Sequence, residues 1–351
     1  MRYRISLHTT QAFLSSVTGA LAILLGLSSC TTSLRLPEIE KTKAVTSAGQ
    51  RTRVALRARP NVLRYNAGAA ATGGSVQITL DNSFIELIKD RVTVEVTYSV
   101  VHAMRKPHAA DQDADTHNSG KSSEIRLPIV AEVMNAAEES GARQAFIQAE
   151  ESQTPLDLTG VWRIWCEHAG APQVQGEDDL NPDNTNPNHV FEIHPVTQIR
   201  SLSVVDSLHP IEGYNPKDPD KAFQAIRKAP CSIRAGNGVT TLVTKPIGNN
   251  YIEFKLKPIG EPSEVPGGTL VVASIYDMED QLIMQQCRMA FIQGSAAEKH
   301  LARLANGGSM HVLGTPRINL DTIWSRMQDN RRDELEANLP FEMIIVGDYG
   351  D

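Results

Sequence analysis

Alternating apolar and polar residues along the chain predict a mainly β protein. The clearest strand spans residues 91–101, where Val92, Val94 and Val96 lie on one face and Thr and Glu side chains lie on the other. Pro195 separates two further runs, and Gly160 predicts a bulge within another. The remaining strands are predicted at 75–80, 124–134, 157–166, 189–194, 196–205, 239–244, 250–257, 269–276, 281–293 and 309–314.

Helix signals are fewer and short. The Ala- and Glu-rich run 137–151 predicts one helix, and Ser295 with Glu298 forms a capping box for another at 295–305. Other helices are predicted at 84–88, at 218–228 and from Asp321 onward. Many short strands with single helices favour small antiparallel β-barrels over a parallel α/β sheet. We assign a mainly β (α+β) fold with two such domains, at residues 75–210 and 211–351, without a clear sequence repeat between them.

The N-terminus carries a targeting signal. Two basic residues, Arg2 and Arg4, precede an apolar run at 17–27, and Ser28, Ser29 and Cys30 follow it. This pattern resembles the signal of bacterial lipoproteins, which implies removal of residues 1–29 and acylation of Cys30 with fatty acids such as palmitate. An ordinary secretory signal with an incidental cysteine is the alternative. The apolar run is shorter than the ~20 residues of a transmembrane helix.

The lipoprotein resemblance implies a location in the bacterial cell envelope, and Thr31 after the cysteine implies sorting to the outer membrane. Residues 30–74 have no sustained apolar period, which predicts a flexible tether. The expected partners are the membrane, reached through the lipid, and another envelope protein. Nucleic acid is disfavoured because the chain has a net charge of −7 and such binding needs a basic surface.

The remaining cysteines and two arginines each leave an alternative open. Cys166, Cys231 and Cys287 allow one disulfide of undetermined pairing or three buried thiols, and no Cys-rich zinc motif is present. Arg288 and Arg317 lie near strand ends, where exposed arginines are common. Binding of an anionic ligand is the alternative for both.

A polar segment with alternating carboxylates is the first candidate for chemistry. Asp113, Asp115 and His117 resemble the first, third and fifth ligands of a calcium loop, and Ser119 and Glu124 fall at the seventh and twelfth positions. The residue in the sixth position is not Gly, and the flanking segments are predicted strands. A solvated hairpin loop is therefore the favoured interpretation, and a divalent-metal site is the alternative.

A Glu and a His on one strand face form the second candidate. Glu192 and His194 are two residues apart, so both project from the same face and could act as a catalytic acid/base pair or ligate a metal. A hydrogen-bonded structural pair is the favoured alternative. Other residues that could join them are Glu167, His168, Glu132, His102 and His108.

Two segments carry a second resemblance. Residues 158–168 and 186–196, with 113–117 and 129–133 upstream, resemble uncharacterised bacterial secreted domains that are similar to OB-type barrels, including the thermonuclease barrel. The resemblance implies two OB-like domains. We expect a lipid-anchored binding or structural module of unknown ligand, without an organic cofactor. The alternative is a metal-dependent extracytoplasmic hydrolase that uses the His, Asp and Glu residues named above.

Overall fold

The computed structural model describes residues 64–67, 74–122, 124–125, 129–169, 174–175, 182–248, 250–304, 307–328 and 335–350. The predicted signal, Cys30 and most of the predicted tether lie outside the described residues. The described part is mainly β with a few short helices, as the sequence predicted. The helices are α1 (Asn82–Ile88), α2 (Ser140–Ser152), α3 (Pro219–Arg227), α4 (Ala296–Leu301) and α5 (Leu320–Gln328).

Five strands close into a first barrel, barrel 1, with OB-type topology. Its strands are β3 (Thr93–Ala103), β4 (Thr116–Ser122), β5 (Ile129–Val133), β6 (Leu156–Ile164) and β8 (Phe191–Ile199). They hydrogen-bond in the order β5-β4-β3-β6-β8, and a parallel pairing of β5 with β8 closes the barrel. Helix α2 connects β5 to β6. The predicted bulge is present, because the register of β6 against β8 shifts on both sides of Gly160.

A second barrel, barrel 2, repeats this topology in the C-terminal half. Its strands are β12 (Ile252–Pro258), β14 (Gly268–Tyr276), β15 (Leu282–Ile292), β16 (Met310–Ile318) and β18 (Phe341–Asp348). They pair in the order β12-β16-β18-β15-β14, β12 closes on β14, and β15 runs parallel to β18. Helix α4 connects β15 to β16, and the Ser295 Oγ caps it by accepting the Glu298 N–H at 3.1 Å.

A third, open sheet joins residues from both halves of the chain. Its strands are β1 (Arg64–Ala67), β2 (Val76–Asp81), β7 (Val174–Gln175), β10 (Pro230–Gly236), β11 (Val239–Thr244) and β17 (Leu335–Asn338). They pair in the order β17-β10-β11-β2-β1-β7, so β2 from the N-terminal half pairs with β11 from the C-terminal half. The short edge strands β9 (Leu202–Ser203) and β13 (Ser263–Val265) extend barrels 1 and 2.

Three predictions of local structure were wrong. Strand β4 lies within the predicted polar loop, because its polar side chains are buried and not solvated. Strand β8 continues through Pro195, so the expected break there is absent. Strands β10, β17 and β18 were not predicted; residues Glu342 to Gly347 of β18 are all buried, so its sequence lacks the alternation of a half-solvated strand.

The two barrels share a short sequence pattern that the sequence analysis missed. Strands β6 and β16 both contain Gly-x-x-Arg-Ile, which places Arg163 and Arg317 at equivalent positions. Strands β8 and β18 both begin with Phe-Glu, so Arg163 lies opposite Glu192 and Arg317 lies opposite Glu342. Each barrel therefore carries a cross-strand Arg–Glu pair at the same point of the same topology, which corrects the expectation that no repeat links them.

The two barrels pack against each other through reciprocal contacts of these arginines. The Nε of Arg163 donates to the Pro316 carbonyl at 3.0 Å, and the Nη1 of Arg317 donates to the Trp162 carbonyl at 3.0 Å. The Arg317 guanidinium also stacks 3.7 Å above the Trp162 ring. Gly267 permits a further close approach, because a Cβ there would lie 1.9 Å from the Thr93 hydroxyl and the backbone has φ +86°.

A buried apolar cluster fills the rest of the interface between the barrels. Its members come from barrel 1, from barrel 2 and from the connection between them, and include Val92, Met134, Val161, Leu208, Ile211, Leu270, Ala290, Ile344 and Val346. Each fully buried Leu or Ile side chain contributes about 1.5–3 kcal/mol to folding. The candidate site lies beside this cluster.

Candidate functional site

The candidate site is built on the outer face of barrel 1, where barrel 2 covers it. His117 on β4 lies directly opposite Glu132 on β5, and both side chains share this face. The neighbours of Glu132, Ala131 and Val133, belong to the main core. Strand alternation therefore places Glu132 outside the barrel. The parallel neighbour β8 contributes Glu192 and His194 to the same face.

Four potential metal ligands come together at the exposed end of this face. His108, Asp113, Asp115 and His117 each offer one ligand atom, and the four atoms lie within 4.8 Å of one another. The His108 Nδ1 is 2.7 Å from the Asp113 Oδ1 and 3.1 Å from the Asp115 Oδ1, and the His117 Nε2 is 3.6 Å from the Asp115 Oδ1. The side chains of His108 and Asp113 are 27% and 17% exposed, so the group opens to solvent on their side.

Asp115 is the least satisfied member of this group. Its side chain is fully buried, and its Oδ2 has no hydrogen-bond partner in the part of the chain that the structure describes. The nearest cationic contact of Asp115 is the His108 Nδ1, 3.1 Å from its Oδ1, and this nitrogen lies closer to the Asp113 Oδ1 at 2.7 Å. Burial raises the pKa of Asp115 to about 7, against the opposing effect of His117 and His108. A buried carboxylate oxygen that no protein donor satisfies is suited to bind a cation.

Glu132 links this group to a series of buried polar contacts that reaches barrel 2. Its Oε1 is 3.4 Å from the His117 Nε2, and its Oε2 is 2.8 Å from the His194 Nδ1. The other ring nitrogen of His194 is 2.8 Å from the Tyr251 hydroxyl. Burial alone would lower the pKa of His194, but Glu132 and Glu192 outweigh burial and raise it to about 10. His194 is therefore held as an imidazolium between two carboxylates.

A second group of potential ligands is already charge-balanced. Glu132, His189 and Glu192 also bring ligand atoms within 4.8 Å of one another. However, the Glu192 Oε2 accepts from the Arg163 Nη1 at 2.5 Å, and the Glu192 Oε1 lies 3.0 Å from the His189 Nε2. Burial would raise the pKa of Glu192, but Arg163 and the histidines hold it well below its ordinary value. The guanidinium and the His194 imidazolium already supply the positive charge that a second cation would bring.

Barrel 2 provides an internal control for the polar face of barrel 1. The counterpart of His194, two residues after the shared Glu, is Ile344. The counterparts of the opposed pair His117 and Glu132 are Leu270 and Ala290, which also lie directly opposite each other. All three counterparts belong to the apolar cluster at the interface. The fold and the packing of the barrels therefore do not require polar residues at these three positions.

The structure brings several of the sequence candidates together. Asp113, Asp115 and His117 meet as predicted candidates, and His108 completes their group. Glu192 and His194 lie in the adjoining network with Glu132, and Glu167 contacts Arg163 at 3.3 Å. Tyr251 was not predicted as part of the site, because it comes from the other barrel and no local sequence pattern marks it.

Other candidates lie elsewhere or act as structural contacts. The Ser119 hydroxyl donates to the Asn184 carbonyl at 2.6 Å, and the Glu124 carboxylate is 3.3 Å from the Thr97 N–H. The calcium-loop spacing is therefore not realised. The His102 Nε2 contacts the Pro182 carbonyl at 2.9 Å, and His168 stacks on His189 with ring centroids 5.0 Å apart.

The cysteines and the two strand-end arginines also have clear roles. Cys166, Cys231 and Cys287 are buried free thiols, so the alternative of three thiols applies and no disulfide links them. Arg317 is buried, the Arg288 side chain is 12% exposed, and both pair with Glu342, so the expectation of exposed arginines was wrong. One buried carboxylate therefore contacts both guanidinium groups.

Comparisons with known proteins do not assign a function. No protein-family model matches the sequence, and no curated protein matches it either. Within the described part of the chain, no helix is both long and apolar enough to cross a membrane. The function of the site is therefore inferred from its own geometry.

Proposed function

We propose that this protein is a lipid-anchored binding module of the bacterial cell envelope whose ligand is a divalent metal cation. The observation that carries the proposal is the fully buried Asp115 carboxylate, whose Oδ2 lacks a hydrogen-bond partner among the described residues, inside a group of four ligand atoms. The apolar counterparts in barrel 2 support it, because buried polar groups that a fold does not need are retained at an energetic cost. Acylated Cys30 would provide the anchor, and an envelope protein remains the expected macromolecular partner.

The ligand set favours a transition metal over calcium. Two imidazoles and two carboxylates suit Zn²⁺, Fe²⁺ or Mn²⁺, whereas Ca²⁺ takes six to eight oxygen ligands. Ligands at about 2.1 Å from a tetrahedral zinc ion lie about 3.4 Å apart. The four atoms here lie within 4.8 Å of one another. Small rotations of the four side chains therefore suffice to close the site around an ion.

The metal content of the protein tests this proposal. Full-length protein purified in detergent without chelator is analysed for bound metals, and the metal-free protein is titrated with Zn²⁺, Mn²⁺ and Ca²⁺ by calorimetry. We expect one transition-metal ion per chain and at least tenfold weaker binding in Asp115→Asn, because it removes a charged ligand. Asp111→Asn is the matched control, since Asp111 is exposed in the same loop outside the group. An Asp115→Asn variant that binds as tightly as the parent would contradict the proposal.

The position of Glu132 favours a second candidate, a metal-dependent hydrolase. Its Oε1 lies 3.4 Å from a proposed ligand atom, the His117 Nε2. A metal held by this group would supply activation of water for hydrolysis, and Glu132 would be the adjacent base. In this candidate mechanism, Glu132 takes the role of base that the sequence suggested for Glu192, because Glu132 contacts the proposed ligand His117 whereas Glu192 pairs with Arg163. His194 and Tyr251 orient Glu132 from behind.

Hydrolysis assays separate the two candidates. The metal-loaded protein is offered chromogenic phosphodiester, carboxylic ester and peptide probes, alongside Glu132→Gln. A hydrolase loses turnover in Glu132→Gln while it retains the metal. A loaded protein that turns over none of the three probe classes supports the binding module alone.

A further inference from the structure

A cavity of about 420 Å³ lies on barrel 2, away from the elements that build the metal site. Strands β14 and β15 form one side, and helix α5 and the segment just before β18 form the other. Its volume falls in the range of small-molecule sites, about 300–1,000 Å³. The described residues that line it include three arginines, Arg227, Arg288 and Arg326, and one carboxylate, Asp321.

Arg326 lines this cavity and carries a donor nitrogen without a hydrogen-bond partner among the described residues. Its Nη1 is buried and has no hydrogen-bond partner within the described ranges. Buried guanidinium nitrogens are normally paired, because an unpaired one loses its hydration without compensation. Arg227, on α3, adds a second guanidinium at the rim and uses one nitrogen to bond the Ile283 carbonyl at 3.0 Å. Two guanidinium groups therefore line the same cavity.

The carboxylate in the lining does not neutralise these arginines. Asp321 lies 3.5 Å from the Arg288 Nη1 and 3.8 Å from the Lys89 Nζ, so it is engaged with two other cations. Arg288 itself pairs with the buried Glu342. The cavity lining thus carries an excess of positive charge, although the net charge of the whole chain is −7. This local positive charge attracts anions.

The cavity also has an apolar wall. Val272 is 40% exposed on its strand, and Phe341 and Met284 line the same space. We propose that this cavity is a second binding site, for a small organic anion whose carboxylate pairs with Arg326 and Arg227 while its apolar body packs on Val272 and Phe341. The paired geometry of a guanidinium and a carboxylate explains why arginine stands at both positions. The proposal does not depend on the metal site.

Benzoate is a suitable probe, since it combines one carboxylate with one apolar ring. Binding to the full-length protein in detergent is measured by calorimetry, with protein-free detergent as the blank and benzyl alcohol as the uncharged analogue. We expect saturable binding of one benzoate, at least about tenfold tighter than that of benzyl alcohol. Arg326→Gln and Arg227→Gln should each weaken it by at least about tenfold. Arg303→Gln, which removes an exposed arginine outside the cavity lining, should not change it.

Three results would overturn the proposal. They are the absence of saturable benzoate binding, equal affinity for benzyl alcohol, and unchanged affinity in both cavity variants. Arg227 is exposed on its helix, so Arg227→Gln is expected to fold even if Arg326→Gln does not. A tenfold loss in Arg227→Gln, with Arg303→Gln unchanged, is sufficient support.

Discussion

Replacing the polar face of barrel 1 with the residues of barrel 2 separates a functional role of that face from a structural one. The variant carries His117→Leu, Glu132→Ala and His194→Ile, the three counterparts found in barrel 2. It also carries Tyr251→Phe, because the tyrosine hydroxyl bonds the His194 ring at 2.8 Å and would otherwise be left unpaired. We expect this quadruple variant to fold and to lose metal binding.

The expected magnitude follows from the charges that are removed. Replacing a buried ionic group with apolar residues is commonly neutral or stabilising by about 1–4 kcal/mol. Shortening Glu132 to alanine leaves a void that costs about 1 kcal/mol. The free energy of unfolding of the quadruple variant should therefore stay within about 3 kcal/mol of the parent, with the balance towards stabilisation.

The single variant Glu132→Ala should behave in the opposite way. It leaves His117 without its Glu132 contact and removes one of the two carboxylates that raise the pKa of His194 to about 10. That pKa lies about 3 units above neutrality, so loss of the imidazolium costs up to about 4 kcal/mol at pH 7. This stabilisation is present below the unfolded-state pKa near 6.5 and disappears as the pH rises through 10. We therefore expect a destabilisation of about 2–4 kcal/mol in Glu132→Ala at pH 7.

Urea unfolding of the metal-free proteins at pH 7, followed by tryptophan fluorescence, measures both variants. Trp162 and Trp165 are buried in barrel 1, so their emission reports on its unfolding. Circular dichroism confirms the β content of each variant before titration. The reasoning is refuted if the quadruple variant is unfolded or is less stable than Glu132→Ala, since the polar face would then be a requirement of the fold.

Three further predictions concern protons, the barrel interface and the anchor. Metal binding at pH 7 should release one to two protons and tighten as the pH rises from 6 to 9. The neighbouring carboxylates of Asp115 and Asp113 raise the pKa of His108 to about 9, and burial raises that of Asp115 to about 7, so His108 is protonated and Asp115 about half protonated at pH 7. Calorimetry in buffers of different ionisation enthalpy measures this release, and identical heats in all buffers would contradict it. Arg317→Met should lower the free energy of unfolding in urea by about 3–5 kcal/mol, because it removes one of the positive charges that pair with the buried Glu342. Adding Glu342→Leu should restore part of this loss. Equal stability of Arg317→Met and the parent would contradict the prediction. Cys30→Ala should abolish incorporation of a palmitate analogue and release the protein from the membrane fraction, whereas unchanged labelling would exclude Cys30 as the acylated residue.

The fold was predictable where one strand face is solvated and the other is buried. In β3, Val94, Val96 and Tyr98 alternate with partly exposed residues, and the predicted strand coincides with the observed one to within two residues at each end. The rule fails for β18, which is buried on both faces, and for β4, whose inward and outward residues are both polar. In these strands the pattern carries no period of two, so tertiary burial decides the structure.

The candidate site was predictable only in its local part. Asp113, Asp115 and His117 lie within five residues, so their spacing offered a metal site as the alternative to the favoured solvated loop. The contact of Glu132 with His194 depends on the parallel closure of barrel 1, and the contact of His194 with Tyr251 depends on the docking of barrel 2. No local spacing encodes such long-range contacts.

The comparison between the two barrels distinguishes the buried charged residues that connect the barrels from the buried polar residues that we propose bind a ligand. The pairs Arg163–Glu192 and Arg317–Glu342 occur in both barrels, and each arginine bonds a backbone carbonyl of the other barrel. Replacing either arginine therefore removes a hydrogen bond between the barrels. The fold does not require a histidine at position 117, since Leu270 occupies the equivalent position in barrel 2. A buried imidazole lowers the stability of the fold where an aliphatic side chain would suffice. Some benefit other than packing has to offset that loss. Cation binding supplies such a benefit, because a ligand that binds the folded state stabilises it.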